Sequence, residues 1–302
     1  MGVDGLPRKV FCIIRRLRAA RESPILPVPP GSKILKEGMV KISQLFVYPV
    51  KSCAGIEIRE MELGATGPLY DRMFVVVNDA GEPRTQREHP RLCLVRTLIT
   101  RGHLLMRIPG GGMYATPLEL GGTADRDVTI WGDACRGMDE GNAAATLFSD
   151  FLGEQCRLVR YLPEYPRLHE SSSLKQAVSV SFSDGYPLLV IAQGSLDDLN
   201  RRLDEPVPMD RFRPNVVIGD APPYAEDDVS WLTVNGVVLG AANKCKRCAT
   251  TVVDQRTGMT SNEPLRTLAT YRRSPDGKVV FGRNFRHLSI GMLHVGDPVI
   301  AT

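Results

Sequence analysis

The chain has 302 residues, of which 43% are hydrophobic and 24% are charged, and its formal net charge is +4. This composition excludes wholesale disorder, and the length suffices for one large domain or two of ordinary size. The positive charge lies within residues 1–38, so the nearly neutral remainder does not indicate a nucleic-acid partner. No run approaches the ~20 apolar residues that a spanning helix needs, so the sequence predicts no integral membrane segment.

Residues 1–38 differ from the rest of the chain. The basic segment RKVFCIIRRLRAAR could form one amphipathic helix, and the Pro-rich SPILPVPPG that follows cannot continue it. A mitochondrial presequence is one interpretation, and a flexible extension ahead of a natural start at Met39 is the other. The apolar stretch Val10–Ile14 is too short for a secretory signal. Seven scattered cysteines, an odd number, indicate free thiols in a reducing compartment, so we expect a cytoplasmic protein.

Short strands dominate the pattern from Val40 onward, and helices are few. A helix is predicted over GNAAATLFSDFLG, with Gly153 as its stop, and another begins with Ser195 as its N-cap. A third helix is predicted over EPLRTLATYRR, and Asn-Gly in WLTVNGVVLG predicts a hairpin turn. This order of elements predicts a mainly β fold with some α (α+β), a barrel or a sandwich, rather than a doubly wound sheet.

Cys245 and Cys248 form a C-x-x-C pair ahead of the β-branched run Thr250–Val253, which reads as a strand. A structural zinc site needs four ligands, and the sequence offers neither a second pair nor suitably spaced histidines. A redox dithiol sits where a strand gives way to a helix, which is the reverse of this order. A single reactive thiolate is the third reading, because the cations of Lys246 and Arg247 favour the form that binds metal. Two ordinary core cysteines remain the alternative.

Five motifs along the chain resemble, in the same order, those of the MOSC-domain proteins, and among these the amidoxime reducing components and their bacterial relatives. They are YPVKSCAGIEI, LYDRMFVVVNDAG, SFSDGYPLLVIAQGSLDDLNRRL, DRFRPNVVI, and KCKRCATTVVDQRTG followed by EPLRTLATYR. The resemblance covers roughly residues 40–300. It implies an N-terminal β-barrel domain at 39–140 and a β-barrel-like MOSC domain at 150–302, with the molybdenum cofactor held between them.

The resemblance also implies the residues of a catalytic site. Cys248 falls on the family's molybdenum ligand, and Cys245 is its neighbour. Asp184 falls on a Ser-Asp turn and is expected near the metal, where it would orient substrate or relay protons. Gly185 and Tyr186 stand where the family has small hydroxyl residues, so the contacts on the substrate side depart from the family pattern there.

The residues implied to bind the cofactor share positions in the quoted motifs. They are Lys51, Ser52, Arg72, Asp184, Gly185, Tyr186, Arg213, Asn215, Arg247 and Cys248. Arginine guanidinium groups hold phosphate oxygens through two parallel hydrogen bonds, and lysine adds a point charge. The basic members of this set therefore suit a pterin cofactor that carries a terminal phosphate.

The implied function is a molybdenum-dependent oxidoreductase. Its substrates would be small N-hydroxylated compounds (amidoximes, N-hydroxyguanidines and N-hydroxylated bases), reduced by N–O cleavage at a Cys-ligated molybdenum. The sequence has no C-x₄-C-x₂-C pattern and no dinucleotide fingerprint, so a separate electron donor is expected. This donor would be a b-type cytochrome with its reductase, or a flavoprotein reductase. Pyridoxal phosphate, haem and flavin are not expected in this chain.

Two other functions stay open on the sequence. The MOSC family includes the C-terminal domain of cofactor sulfurases, so Cys248 could carry a persulfide in a sulfurtransferase. The chain could instead be a non-enzymatic cofactor-binding module, or a binding module that uses residues 1–38 on membranes or nucleic acid.

Overall fold

The structure is a computed structural model that describes residues 40–119, 122–171 and 176–301. The predicted features of residues 1–38, the amphipathic helix and the presequence among them, lie outside the described residues. Within the described residues, no helix is both long and apolar enough to cross a membrane.

Strands make up most of the regular structure. They are β1 (Lys41–Val47), β2 (Ile56–Ile58), β3 (Glu60–Gly64), β4 (Gly67–Pro68), β5 (Phe74–Val77), β6 (Arg96–Thr100), β7 (His103–Ile108), β8 (Gly112–Pro117), β9 (Ala124–Ile130), β10 (Asp133–Asp139), β11 (Arg157–Tyr161), β12 (Arg167–Ser171), β13 (Gln176–Val180), β14 (Leu188–Ala192), β15 (Val216–Gly219), β16 (Trp231–Val234), β17 (Val237–Lys246), β18 (Val280–His287), β19 (Gly291–His294) and β20 (Ile300–Ala301). In the described part of the chain the α-helices are α1 (Asn142–Leu152), α2 (Gln193–Asn200) and α3 (Leu265–Leu268). The predicted mainly β fold class is confirmed.

The sheets join strands that are distant in sequence. The largest sheet has the order β2-β1-β15-β14-β18-β17-β16-β20, so it combines the first two strands of the chain with strands of its second half. A four-stranded sheet has the order β5-β11-β10-β9. The others are β12-β13, β19-β3-β4 and β6-β7-β8. The division into domains at 39–140 and 150–302 stays a prediction, and strands from both sides of it share sheets.

Strand β14 is buried on both faces of the largest sheet. Leu188, Val190 and Ala192 contribute to one hydrophobic cluster, while Leu189 and Ile191 contribute to another on the opposite face. A strand that is covered on both faces has no solvent-exposed side, so its apolar residues do not alternate with polar ones. This is why the sequence LLVIA shows a continuous apolar run rather than an alternating pattern.

Helix α1 forms as predicted and ends at a glycine. Gly153 has φ 76°, and its N–H donates to the carbonyl of Ser149. Glycine adopts this left-handed conformation without the steric penalty of a side chain, which makes it the usual residue just past a helix end. Phe148 and Phe151 are buried on the inner face of the helix.

The predicted N-cap of the second helix is wrong. Helix α2 begins two residues earlier, at Gln193, so Ser195 lies inside it. The Ser195 hydroxyl donates instead to the carboxylate of Glu226, at 2.9 and 3.0 Å, and accepts from the backbone N–H of Tyr224 at 2.7 Å. A buried carboxylate needs hydrogen-bond donors, so the Ser195 hydroxyl binds Glu226 rather than capping the start of helix α2. The third helix is also shorter than predicted, covering only Leu265–Leu268.

The variant Glu226→Gln is expected to be more stable than the wild type at pH 8 but not at pH 4.5. Glu226 is 1% exposed, and burial raises its pKa to about 7. The folded protein therefore binds a proton between pH 4.5 and 7 that the unfolded chain has released, so the wild type loses stability as the pH rises through this window. Glutamine avoids that loss, which we expect to amount to about 3 kcal/mol above pH 7.

Urea unfolding at pH 4.5 and pH 8 measures this effect. Glu60 is an exposed carboxylate, so Glu60→Gln serves as the control and should change little at either pH. An advantage of Glu226→Gln that is equal at both pH values would contradict the prediction.

Candidate functional site

A cleft of about 300 Å³ collects all of the predicted site residues. It is lined by Lys51, Ser52, Arg72, Thr85, Arg87, Trp131, Ser183, Asp184, Gly185, Tyr186, Leu189, Arg211, Phe212, Arg213, Asn215, Asn243, Cys245, Lys246, Arg247, Cys248, Thr250, Thr251 and Asn284. Most of these residues lie in loops next to β1, β5, β14, β15 and β17 or in the β9–β10 turn, and the others lie within β14, β17 and β18. Residues up to 233 positions apart in sequence, Lys51 and Asn284, therefore line one cleft.

Cys248 lies where strand β17 ends. The strand pairs with β18 as far as Lys246, which faces Val280, and the backbone then turns into a 3₁₀ turn over Ala249–Val252. Cys248 precedes that turn in an extended conformation, is partly exposed, and has its Sγ 3.5 Å from the Thr250 hydroxyl oxygen.

The strand predicted over Thr250–Val253 is wrong. The backbone N–H groups of Thr251 and Val253 donate to carbonyls three residues earlier, so they form local hydrogen bonds rather than bonds to a neighbouring strand. The C-x-x-C pair thus does sit between a strand and a helical turn, and the order of elements is no argument against a dithiol.

The two cysteines of the pair differ in environment. Cys245 packs against the hydrophobic cluster that contains Phe281, and burial raises the pKa of its thiol. A thiol that is held in its neutral form is a poor nucleophile and a poor metal ligand. Cys248 is adjacent to the guanidinium-bearing Arg247 and lines the cleft. The geometry therefore favours Cys248 as the chemically active member of the pair.

Lys51 and Asp184 form an ion pair in the cleft. Lys51 is 5% exposed, and its ammonium donates to the Asp184 carboxylate and, at 2.9 Å, to the carbonyl of Phe182. The surrounding walls of the cleft oppose ionisation of Asp184, but the charge of Lys51 and the hydrogen bonds from Lys51 and Trp131 hold the pKa of its carboxyl below the usual range. About 70% of the Asp184 side chain is nevertheless exposed. Asp184 is therefore an anion at neutral pH, able to accept hydrogen bonds.

Two arginines pack against the ring of Tyr48. The guanidinium carbons of Arg72 and Arg213 each lie 4.3 Å from the ring centroid, a distance typical of cation–π contacts. Tyr48 is 1% exposed, and its hydroxyl donates to the carbonyl of Pro214 at 3.0 Å. A fixed aromatic ring thus holds two like charges beside each other at the cleft.

The two arginines differ in how their charge is balanced. Arg72 is paired with the buried carboxylate of Asp71 and donates to Asn215 Oδ1 at 3.2 Å. Arg213 donates to the carbonyl of Cys53 at 2.7 Å, and among the described residues it has no carboxylate partner. Burial, and next the like charge of Arg72, lower the pKa of Arg213. A buried guanidinium without a counter-ion is a site that an anion would stabilise.

Asn215 holds this arrangement together. Its side-chain oxygen accepts from Arg72 and from the backbone N–H of Leu189, both at 3.2 Å, and its side-chain nitrogen donates to the carbonyl of Phe46 at 3.2 Å. Asn215 is 1% exposed. Its amide therefore ties β1, β14 and Arg72 to one another.

Several polar atoms in the wall of the cleft lack partners among the described residues. The Nη2 atom of Arg247, the Nε atom of Arg211 and the hydroxyl of Ser183 are buried without a hydrogen bond. Of the described residues that line the cleft, seven are Lys or Arg and one, Asp184, is acidic. Buried donors and an excess of positive charge fit a ligand with phosphate oxygens. Within residues 40–119, 122–171 and 176–301, no three His, Cys, Asp or Glu side chains are grouped to hold a metal ion.

Backbone strain is concentrated at the cleft. Eight non-glycine residues in the described part of the chain have positive φ, and four of these line the cleft: Ser52, Arg72, Trp131 and Arg213. A residue held in this conformation costs on the order of 1–3 kcal/mol, and such residues cluster at functional sites. The strain supports the cleft as the functional site of the fold.

Comparison with known proteins identifies the family of the chain. Residues 39–155 match the family described as "MOSC N-terminal beta barrel domain", and residues 177–300 match the "MOSC domain". The rat protein named mitochondrial amidoxime reducing component 2 is 34% identical over 277 residues, which are 85% of this chain and 82% of that protein. The chain belongs to the MOSC-domain family. Its expected N-terminal β-barrel agrees with the family description.

Two further MOSC relatives show the range of the family. Human mitochondrial amidoxime-reducing component 1 is 35% identical over 288 residues, which are 90% of this chain and 86% of that protein. Zebrafish molybdenum cofactor sulfurase is 32% identical over 284 residues, which are 86% of this chain but 34% of that protein.

Gly185 and Tyr186 pack against the imidazole of His169. A Cβ atom on Gly185 would lie 2.8 Å from Nε2 of His169, so the imidazole occupies the space that a larger residue would need. The same imidazole packs edge-on against Tyr186, with 5.7 Å between the ring centroids. His169 therefore leaves no room for a larger residue at position 185.

Trp131 and Arg87 are among the residues of the cleft that sequence reasoning missed. Trp131 forms the β9–β10 turn with Gly132, and its indole N–H donates to Asp184 Oδ1 at 2.8 Å. The guanidinium carbon of Arg87 lies 4.3 Å from the Trp131 ring centroid. A tryptophan directly before a turn glycine was the available signal, since a bulky residue seldom occupies a turn without a contact that requires it.

Gly55→Ala is expected to destabilise the protein because the added methyl group would clash with the ring of Tyr48. A Cβ atom at position 55 would lie 2.4 Å from Cε1 of Tyr48, whose buried ring cannot move without leaving Arg72 and Arg213. Overpacking of this kind costs about 1–3 kcal/mol, which denaturant unfolding would measure. Gly64→Ala is the control, because its Cβ would meet one backbone oxygen at 3.9 Å. Equal stability of the two variants would contradict the prediction.

Proposed function

We propose that this MOSC protein is a molybdenum-cofactor-dependent oxidoreductase that reduces small N-hydroxylated compounds by N–O cleavage. The observation that carries the proposal is the position of Cys248, next to Arg247 and just past the end of strand β17, in a cleft with seven cationic residues and one acidic residue among those described. The relatives named amidoxime reducing components support the substrate class.

Cys248 would supply the protein's thiolate to the metal. Thiolate suits a soft transition metal, and a cofactor that brings sulfur ligands of its own needs few from the protein. The other cysteine of the pair, Cys245, is held as a neutral thiol by burial. One ligand from the chain therefore suffices.

The cationic wall of the cleft would hold the phosphate end of the cofactor. Arg213 has no carboxylate partner among the described residues, and its guanidinium can give two parallel hydrogen bonds to phosphate oxygens. Arg247 has one buried N–H without a described partner, so it suits a further contact. Lys51 and Ser52 complete the set, while Asn215 positions Arg72.

Asp184 would orient the substrate. When bound, the cofactor supplies the two-electron chemistry that breaks the N–O bond. Asp184 is an anion at neutral pH because of Lys51 and Trp131, so it accepts hydrogen bonds rather than giving up a proton. The amino group of an amidoxime is a suitable donor to it. Gly185 and Tyr186, which follow in the same turn, would bound the substrate side of the cleft.

Electrons would reach the site from a separate protein, a b-type cytochrome with its reductase or a flavoprotein reductase. We place the protein in the cytoplasm, with the mitochondrion as the alternative if residues 1–38 act as a presequence. A fluorescent fusion with and without residues 1–38 distinguishes the two, because a presequence would direct only the longer form to mitochondria.

Sulfur transfer is the second candidate function. The zebrafish relative named molybdenum cofactor sulfurase is 32% identical to the chain, and Cys248 is accessible enough to carry a persulfide. Sulfur released by cyanide from the wild type, and absent from Cys248→Ala, would favour this function over reduction.

The test of the main proposal is metal analysis and activity of the wild type. The protein would be produced in a host that makes the molybdenum cofactor and then assayed for amidoxime reduction with an artificial electron donor. Stoichiometric molybdenum and formation of the amidine are the expected results. Protein without molybdenum from such a host, or loaded protein without reductive activity, would overturn the proposal.

A further inference from the structure

The indole of Trp131 presents a flat apolar surface in a cleft rich in charge. The residue is 44% exposed although it is a large hydrophobic side chain, and it lines the cleft together with Cys248 and Asp184. Its backbone has φ 53°, which a bulky side chain seldom adopts. An exposed tryptophan that is held in a strained turn beside a candidate active site indicates a functional role for this side chain.

Three contacts fix the position of this indole. Its N–H donates to Asp184 Oδ1 at 2.8 Å, the Arg87 guanidinium carbon lies 4.3 Å from the ring centroid, and the Lys51 ammonium lies 5.4 Å from it. Asp184 and Lys51 are themselves paired, so ring, carboxylate and ammonium form one connected group. A ring held in this way loses little conformational freedom when a ligand stacks on it.

We propose that Trp131 determines substrate specificity by stacking on planar, conjugated N-hydroxylated compounds. Aromatic surfaces associate in offset-stacked or edge-on geometries, and an amidine-like group that gains positive charge is also attracted to an indole. Asp184, hydrogen-bonded to the indole edge, lies where it can accept from the amino group of the same molecule. The proposal rests on the reductase function and adds a preference within it, for aromatic and heteroaromatic substrates over saturated ones.

A second role for Trp131 would be to hold Asp184 in place through the indole N–H. The two roles are separable, because Trp131→Phe keeps an aromatic ring and removes the N–H, whereas Trp131→Ala removes both. Stacking predicts that phenylalanine retains the substrate preference. Support of Asp184 alone predicts that both variants weaken binding of aromatic and saturated substrates to the same extent.

The kinetic experiment compares two amidoximes that differ only in ring saturation, benzamidoxime and cyclohexanecarboxamidoxime, with molybdenum-loaded enzyme. Trp131→Ala is expected to raise KM about tenfold for the aromatic compound and less than about twofold for the saturated one. Trp131→Phe should stay within about threefold of the wild type for both. Tyr165→Ala is the matched control, because Tyr165 is 43% exposed and lies 5.4 Å from the Arg136 guanidinium but does not line the cleft.

Fluorescence gives a readout that is independent of turnover. The chain has two tryptophans, so Trp231→Phe leaves Trp131 as the single indole. Benzamidoxime should quench this emission with a dissociation constant close to KM, and cyclohexanecarboxamidoxime should quench it much less. Equal effects of Trp131→Ala on both compounds, or loss of preference in Trp131→Phe, overturn the stacking proposal while leaving the reductase function intact. A wild type that reduces neither compound overturns both.

Discussion

Cys248→Ala should lose N-reductive activity and most of its molybdenum. The thiol lies partly exposed in the cationic cleft. Among the described cysteines only Cys245 also lines the cleft, and burial raises the pKa of its thiol. Loss of groups that merely orient metal ligands costs 10–100-fold, so loss of the ligand itself should lower the rate by more than about 100-fold. Metal analysis and amidoxime reduction with an artificial donor measure the two effects.

Cys245→Ala is the matched control for this variant. Cys245 lies three residues away, is also a lining residue, and packs partly against a hydrophobic cluster. It should retain its molybdenum and most of its activity. Full activity in Cys248→Ala, or equal metal loss in both variants, would contradict the assignment of Cys248 as the ligand.

Arg213→Gln should bind the cofactor about 30- to 100-fold more weakly, because it removes a charged donor of hydrogen bonds worth 1.5–3 kcal/mol each. The same change should leave the cofactor-free protein as stable as the wild type, or more stable. Arg213 is desolvated, lies beside the like charge of Arg72, and has no carboxylate partner among the described residues. Cofactor occupancy after dialysis and urea unfolding of the cofactor-free protein measure the two quantities separately.

Arg136→Gln provides the comparison for that variant. Arg136 is exposed, pairs with Asp125 at 3.2 Å, and lies outside the cleft. Both its cofactor occupancy and its stability should match the wild type, since exposed ion pairs contribute little. Unchanged occupancy in Arg213→Gln, or a parallel loss of stability and occupancy, would contradict a role for Arg213 in anion binding.

The residues of the cleft that sequence reasoning found share one property. Lys51, Arg72, Arg213 and Cys248 each lie in a short motif at the end of a strand, so local sequence and family resemblance were enough to select them. Their chemistry also limited the choice, because phosphate needs guanidinium or ammonium donors and a soft metal needs thiolate. The sequence did not reveal that the ring of Tyr48 contacts the guanidinium groups of both Arg72 and Arg213.

Trp131 and Arg87 were missed because their role depends on contacts between distant segments. Trp131 reaches Asp184 only because β9 and β10 place their turn over the cleft. The wrong prediction of a strand over Thr250–Val253 has a similar cause, since β-branched residues favour strands only when a partner strand is present. Ser195 was assigned to a cap because the buried carboxylate of Glu226, thirty-one residues away, does not show in a local window.

The pairing of β1 with β15 determines when the cleft can form during synthesis of the chain. Lys41 faces Gly219 and Leu45 faces Val216, so the strand that leads to Lys51 finds its neighbour only after most of the chain exists. Pairing across such a separation closes a long loop and is correspondingly slow. A ribosome-bound chain that stops short of β15 therefore lacks the pairing of β1 with β15, and one that stops at the end of β17 still lacks Cys248. On the proposed function, the cofactor would be inserted only after the chain has been synthesised as far as Cys248.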